Sequence, residues 1–296
     1  MSKTIRIGTN GDSLSLKQAK LVESLIKPSG YQTEIISSKT SADDKIKIKK
    51  NLEIKLLDGS IDIVVHHAKD LPADLHEELE LVAFTERQLP NDVVVSSNKN
   101  IDVKSGNIKI GTSSIRRMAF IRHFYPNMQA VFAPGDPEDQ IKKMKAGEYD
   151  ALLLAFADVH QLGHDNLIIE NIETSYFVPA VGQGSLVVEC HKKLSFDKKE
   201  VIQRWVNHEE TEDCIRTERS FSKTLNRGYN IPIFGYAQYE GNLITLKAGV
   251  ISLDGKQIIK TKRSSTVAES KELGKKVAME VLQNGGDKIL QEINPL

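Results

Sequence analysis

Short apolar runs alternate with helix-period segments through the first 160 residues, and this alternation leaves few folds open. Ile5–Ile7 is a β run, followed by polar Thr9–Asp12 and a helix from about Ser13 with Ala19, Val22, Leu25 and Ile26 on one face. Pro28-Ser29-Gly30 stops that helix, and Tyr31–Ile36 alternates again. The basic stretch Lys45–Lys50 leads into a helix through Leu52, Leu56 and Leu57, ended by Asp58-Gly59. Ile61–His66 is almost wholly apolar, which predicts a strand buried on both faces. The order β-α-β-α-β implies an α/β sheet covered by helices.

The same grammar returns near Asn107. Ile108–Gly111 reads as a strand, Thr112-Ser113-Ser114 offers N-cap residues, and Ile115 to Phe124 reads as a helix. Gln129–Phe132 is a strand, Asp136-Pro137 opens a helix that ends before Gly147, and Ala151–Leu154 is a second buried strand. After Val178 the texture changes. A Gly-rich turn, Pro179–Gly184, precedes the strand Ser185–Glu189, and a long amphipathic helix is expected from His208 to Leu225. Three β runs follow, Ile233–Tyr239, Leu243–Ser252 and Lys256–Arg263, separated by the hairpin signals Gly241-Asn242 and Asp254-Gly255. A last helix is expected over Val267 to Leu282. The expected organisation is three domains: an α/β domain over 1–87 plus 185–203, a second over 91–180, and a C-terminal α+β domain over 207–296.

Composition narrows the function classes. The 40 Lys and Arg balance the 40 Asp and Glu, so nothing marks the chain as a nucleic-acid binder. The longest apolar run, Ala151 to Ala157, is far short of the roughly 20 residues that a membrane span needs. With no apolar stretch at the N-terminus and only two cysteines, Cys190 and Cys214, a reducing cytoplasm is the expected compartment. No GxGxxG, GxxxxGK[ST] or GxSxG motif occurs, and no metal site is expected, since adjacent His66 and His67 point to opposite faces of a strand.

Two places can carry chemistry. Lys69 and Asp70 follow the buried strand Ile61–His66, where open α/β sheets bind ligands. There they can hold a charged group or move a proton, or they can form an ordinary loop in which Asp70 caps a turn and Lys69 faces water. The turn Gly111–Arg117 offers helix N–H groups, the hydroxyls of Thr112, Ser113 and Ser114, and the forked donors of Arg116 and Arg117. It suits a carboxylate or phosphate. The alternative is a plain N-cap with solvent-facing arginines.

Taken in order, these segments resemble the hydroxymethylbilane synthase (porphobilinogen deaminase) family. The resemblance rests on Arg6–Thr9 with Leu14, Leu16, Gln18 and Ala19; Asp62–His66 with Lys69–Pro72; Gly111–Arg117; Gly147–Ala151; Pro179–Gly184; Glu218-Arg219; and Pro232-Ile233. It implies two periplasmic-binding-protein-like α/β domains plus a C-terminal α+β domain with a three-stranded antiparallel sheet. It also implies the head-to-tail condensation of four porphobilinogen molecules with release of ammonia, in tetrapyrrole and haem biosynthesis. By resemblance Asp70 is the acid/base carboxylate with Lys69 beside it, and Thr112, Ser113, Ser114, Arg116 and Arg117 bind substrate carboxylates. A monomer is implied, with a small anionic ligand of the porphobilinogen or pyrrole-carboxylate type as its partner.

The family also carries a dipyrromethane cofactor on a cysteine thioether, within Gly-Gly-Cys-x-[VI]-Pro-[IL]-Gly. Here Tyr229 stands at the cysteine position, in Arg227–Phe234, so covalent attachment is not expected. Arginines of the family pattern are replaced at Asn10, Pro134, Gln140 and Gln161, and the glycine-rich flap segment is missing around Thr40–Lys47. At about 1.5–3 kcal/mol for each hydrogen bond to a charged group, four arginines amount to on the order of 6–12 kcal/mol of polyanion binding as an upper bracket. Three functions follow: a synthase holding its primer noncovalently, a non-catalytic paralogue that binds a pyrrole or small carboxylate, or an altered deaminase or coupling enzyme acting on a single small substrate.

Overall fold

A computed structural model describes residues 3–37, 45–104, 106–225 and 231–293. The chain begins β1 (Thr4–Thr9), α1 (Ser13–Ile26), β2 (Gln32–Ser37), α2 (Lys45–Leu57), β3 (Ile63–His67), β4 (Leu79–Phe84). It continues β5 (Asp92–Val95), β6 (Lys109–Thr112), α3 (Ile115–Phe124), β7 (Gln129–Phe132), α4 (Pro137–Lys145), β8 (Ala151–Ala155), α5 (Phe156–Leu162), β9 (Ile168–Asn171). Then come β10 (Leu186–His191), α6 (Phe196–Val206), α7 (Glu209–Leu225), β11 (Ile233–Glu240), β12 (Leu243–Ile251), β13 (Ile258–Thr266), α8 (Ser270–Val281) and α9 (Asp287–Ile293). The chain divides into two compact units, Met1–Arg87 with Ser185–Glu212, and Gln88–Gly184 with Asp213–Leu296. The region expected as a third domain therefore falls mainly within the second unit. No helix among the described residues is long and apolar enough to cross a membrane.

In the first unit the sheet order is β2-β1-β3-β10-β4, with β1 parallel to β2 and β3, and β10 antiparallel to β3 and β4. Asp12 caps α1 by accepting from Ser15 N at 2.8 Å, and the helix lays Leu14, Gln18, Ala19, Val22 and Ile26 against the sheet. Asp62, just before β3, accepts from Arg6 Nε at 3.0 Å and lies 2.9 Å from Lys198 Nζ on α6, so a buried carboxylate has two cationic partners.

The second unit repeats this sheet as β7-β6-β8-β5-β9. Ladder register makes the repeat explicit. Ile7 and Gly8 pair with Ile63 and Val64, and Ile110 and Gly111 pair with Ala151 and Leu152. Ile7-Gly8-Thr9 and Ile110-Gly111-Thr112 thus occupy the same place in the two sheets. Side chains pack closely over both glycines: a Cβ on Gly8 would lie 2.5 Å from Ile61 Cδ1, and one on Gly111 would lie 2.8 Å from Leu152 Cδ2, so either would have to move.

The antiparallel sheet β11-β12-β13 packs against α7, α8 and α9 through Phe221, Leu246, Ala248, Val277 and Leu290. It also shares a core with the α/β sheet of its unit. Phe120 of α3 meets Phe177 at 4.7 Å and Phe234 of β11 at 5.1 Å between ring centroids. The hairpin turn at Asp254-Gly255 docks on the end of α3, where His123 Nδ1 donates to Gly255 O at 2.6 Å and Arg122 Nη1 donates to Leu253 O. Gly255 has φ 76°, and a Cβ there would lie 2.7 Å from Ala119 O. Gly255→Ala is therefore expected to cost on the order of 2–4 kcal/mol, combining left-handed strain with overpacking. Urea unfolding of the two proteins measures it, and a loss under about 0.5 kcal/mol would contradict this docking.

Strands β4, β5 and β9 have no counterpart in the sequence expectations, because runs of four to six residues carry little period, and helices α5, α6 and α9 are also additions to them. The last expected helix begins later than its pattern, after a 3₁₀ turn at Val267–Glu269.

Candidate active site

The end of β3 runs into a 3₁₀ turn, Ala68–Asp70, which places Asp70 at the carboxyl edge of the first sheet. Asp70 is exposed and Lys69 is half-buried. The two histidines before them diverge as expected. His66 Nε2 lies 3.0 Å from Glu189 Oε2 on β10, while His67 contacts the amide of Gln18 on α1. No cluster of three His, Cys, Asp or Glu able to hold a metal ion occurs among the described residues.

The second turn lies at the corresponding edge of the second unit. Thr112 ends β6 fully buried, and its Oγ1 accepts from Ser114 N at 3.3 Å. Ser114 caps α3 by accepting from Arg117 N at 3.4 Å, which leaves Ser113 exposed at the apex. Arg116 and Arg117 do not face solvent. They are 3% and 7% exposed, and both grip Asp92: Arg116 Nη2 donates to Oδ2 at 2.7 Å and Arg117 Nε to Oδ1 at 2.7 Å. Arg116 Nη1 also donates to Val178 O at 2.8 Å, and its guanidinium lies over the rings of Phe120 and Phe177. Gln183 closes the network, donating to Asp92 Oδ1 at 3.0 Å and to Pro90 O at 2.6 Å. Burial works to raise the pKa of Asp92. The charges of Arg116 and Arg117 outweigh it, so the carboxyl is held below the ordinary carboxylate range. Two guanidiniums on one carboxylate leave a net positive charge at this turn, reduced from the full charge of the pair.

Asp92 and Gln183 are the members that the sequence reading does not single out. A signal exists for Asp92: an acid opening an otherwise all-apolar buried strand, Asp92–Val95, requires a cationic partner. Gln183 is visible only as part of the Pro179–Gly184 turn. That turn is held by Glu218, fully buried on α7, which accepts from Gly182 N at 2.6 Å and Ala237 N at 2.8 Å.

Residues at the departed arginine positions have taken local roles. Gln140 is buried and donates to Ala133 O at 2.7 Å and Gly135 O at 3.1 Å, closing the turn after β7. Gln161 Nε2 donates to Gln88 Oε1 at 3.0 Å. Asn10 and Pro134 are exposed, with Lys143 Nζ donating to Pro134 O at 3.4 Å. Tyr229 and residues 38–44 of the expected flap region lie outside the described residues. Cys190 and Cys214 are both buried, and burial pushes the Cys190 thiol up to about 12.

Each α/β sheet thus carries a polar turn at its strand ends. Family comparison makes this specific. Residues 5–199 match the model for "porphobilinogen deaminase, dipyromethane cofactor binding domain", and residues 213–283 match that for "porphobilinogen deaminase, C-terminal domain". The chain is 39% identical to a porphobilinogen deaminase of Desulfosudis oleivorans, covering 98% of this chain and 97% of that protein. It is 39% identical to the enzyme of Cytophaga hutchinsonii, covering 99% and 98%, and 37% identical to that of Carboxydothermus hydrogenoformans, covering 99% and 98%. Among solved structures, the methionine-binding protein MetQ aligns with 69% of this chain and 91% of its own at 12% identity, with a TM-score of 0.45. The chain belongs to the porphobilinogen deaminase family.

Proposed function

We propose that this protein binds porphobilinogen and removes its amine as ammonia, with Asp70 as the acid/base group. The observation that carries this reading is the placement of Lys69 and an exposed Asp70 together on the turn that ends β3. An amine leaves as ammonia once a proton is delivered to it. A carboxylate at the same place hydrogen-bonds the pyrrole N–H and steadies the azafulvene cation that remains, until water or the free α-carbon of a second porphobilinogen adds to its methylene carbon and gives up a proton. Lys69 supplies a positive charge for a substrate carboxylate.

The dipyrromethane group does not fit the thiols of this chain. A thioether needs an accessible thiolate, and both cysteines are buried, one with its thiol pushed up to about 12. The residue at the family's cysteine position is Tyr229, which brings no thiol. With Arg116 and Arg117 committed to Asp92 and four arginine positions of the family pattern neutral, a long polycarboxylate chain loses these cations as partners. Deamination of one or a few units is therefore the favoured reaction. The complete family condensation is the second reading, favoured by relatives that align over nearly their whole length.

Incubation of the pure protein with porphobilinogen tests both. Ammonia with no uroporphyrin after oxidation supports the limited reaction, and ammonia with uroporphyrin supports the complete one. No ammonia excludes the deaminase reading. Intact mass at the unmodified chain value is expected, and an added dipyrromethane mass would overturn the argument on attachment.

A further inference from the structure

The second sheet carries an open aromatic ring at the edge where ligands are favoured. Phe132 ends β7 and is 61% exposed. Its register partner is Thr112, the last residue of β6, so it stands beside the turn that leads into α3. Ala130, two residues earlier and on the same face of the strand, packs against the core cluster that includes Ile110 and Phe120. Phe132 continues that face where it opens to solvent. Single exposed apolar side chains are ordinary on a protein surface. This one is set apart by its place, at the carboxyl ends of parallel strands, where open α/β sheets take their ligands.

The positions around it have exchanged charge for ring surface. Pro134, two residues on, is exposed and stands where the family pattern has an arginine. Arg116 and Arg117, which follow the neighbouring turn, are engaged by Asp92. On the other side of β6, β8 runs into Phe156, whose ring stacks on His160 at 5.4 Å between centroids and 11° between planes. The residue after His160 is Gln161, again uncharged where the pattern has an arginine. A phenylalanine thus stands at the end of each strand beside β6, and two cations of the pattern are missing near them. An edge of this composition gains little from a ligand's carboxylates. It gains from a flat ring, which an aromatic face meets over its whole area with few torsions to fix.

We propose that Phe132 is a ligand-contacting residue of the second unit, which stacks on the pyrrole ring of the substrate and sets a preference for the ring itself over the number of its carboxylates. The inference rests on the porphobilinogen reading above and deepens it by naming a residue that recognises the pyrrole.

The test uses the full chain in an Asp70→Asn background, which stops turnover, and titrates porphobilinogen by calorimetry. Adding Phe132→Ala is expected to weaken binding about fivefold or more, and Phe132→Tyr, which keeps the ring, is expected to hold it within about twofold. Phe132 is exposed, so these variants are expected to keep the melting temperature of their parent. Nuclear magnetic resonance of the ligand gives a second readout. Stacking moves the signal of the pyrrole ring hydrogen upfield on binding. That shift is expected with Phe132 and with Phe132→Tyr but not with Phe132→Leu, which keeps apolar bulk without a ring current. An affinity unchanged in Phe132→Ala, or an upfield shift that survives in Phe132→Leu, overturns the stacking and leaves porphobilinogen as the ligand. No binding by the protein that retains Phe132, with or without Asp70, overturns the porphobilinogen reading and this inference with it.

Discussion

Asp92→Asn is expected to destabilise the second unit by about 3–5 kcal/mol, the cost of breaking a buried ion pair and leaving its partners uncompensated. Asp92 is fully buried, accepts from both guanidiniums at 2.7 Å, and accepts from Gln183 as well. Asparagine keeps the shape but removes the charge, and two nearly buried arginines are left repelling each other. For a unit of this size the loss corresponds to a fall in melting temperature of about 6–20 °C. A change under about 1 kcal/mol would show that the arginines relax to other partners.

The same residue has a pH signature. Its folded pKa lies below the value near 3.9 of an unfolded aspartate, so its stabilisation is complete above that value. It is lost as pH falls through the folded pKa. The native protein should therefore lose stability below about pH 4, and Asp92→Asn should show a shallower slope there. Some slope remains in the variant, because Asp62, whose pKa burial raises but Arg6 and Lys198 lower further, follows the same rule.

Asp70→Asn is expected to lower ammonia release from porphobilinogen by about 10²–10⁴-fold, the usual contribution of a positioned acid/base group. Stability should change little, because Asp70 is exposed on a surface turn rather than part of a core. The comparison of melting temperature with rate separates chemistry from folding. A fall of less than tenfold in a folded variant would remove Asp70 from the proton-transfer role and leave it as a turn residue.

Much of the frame is legible from local pattern. The all-apolar strands β3 and β8, the cap residues Asp136 and Ser114, and the hairpin turns at Gly241 and Gly255 each announce themselves within a few residues. Asp70 is legible for the same reason, as a polar residue at the end of an apolar run. The engagement of Arg116 and Arg117 is not legible in this way. Their partner Asp92 lies 24 and 25 residues upstream, and Gln183 lies 67 and 66 downstream. No period links residues at such separations. Only the requirement that a buried charge find its opposite connects them, and that requirement names a partner's charge without naming its position.

The strand order of the first unit also dictates when that unit can fold. β4 has its neighbour in β10, and β10 lies between β3 and β4. During synthesis the opening 87 residues emerge first, yet their sheet lacks its inner strand until residue 191 has left the ribosome. The five strands of the other α/β sheet, β5 to β9, are all complete by Asn171. The interrupted order therefore favours the later-encoded sheet as the earlier one to close, with the amino-terminal segment held open as a partly formed sheet, its edge exposed to mispairing until β10 arrives.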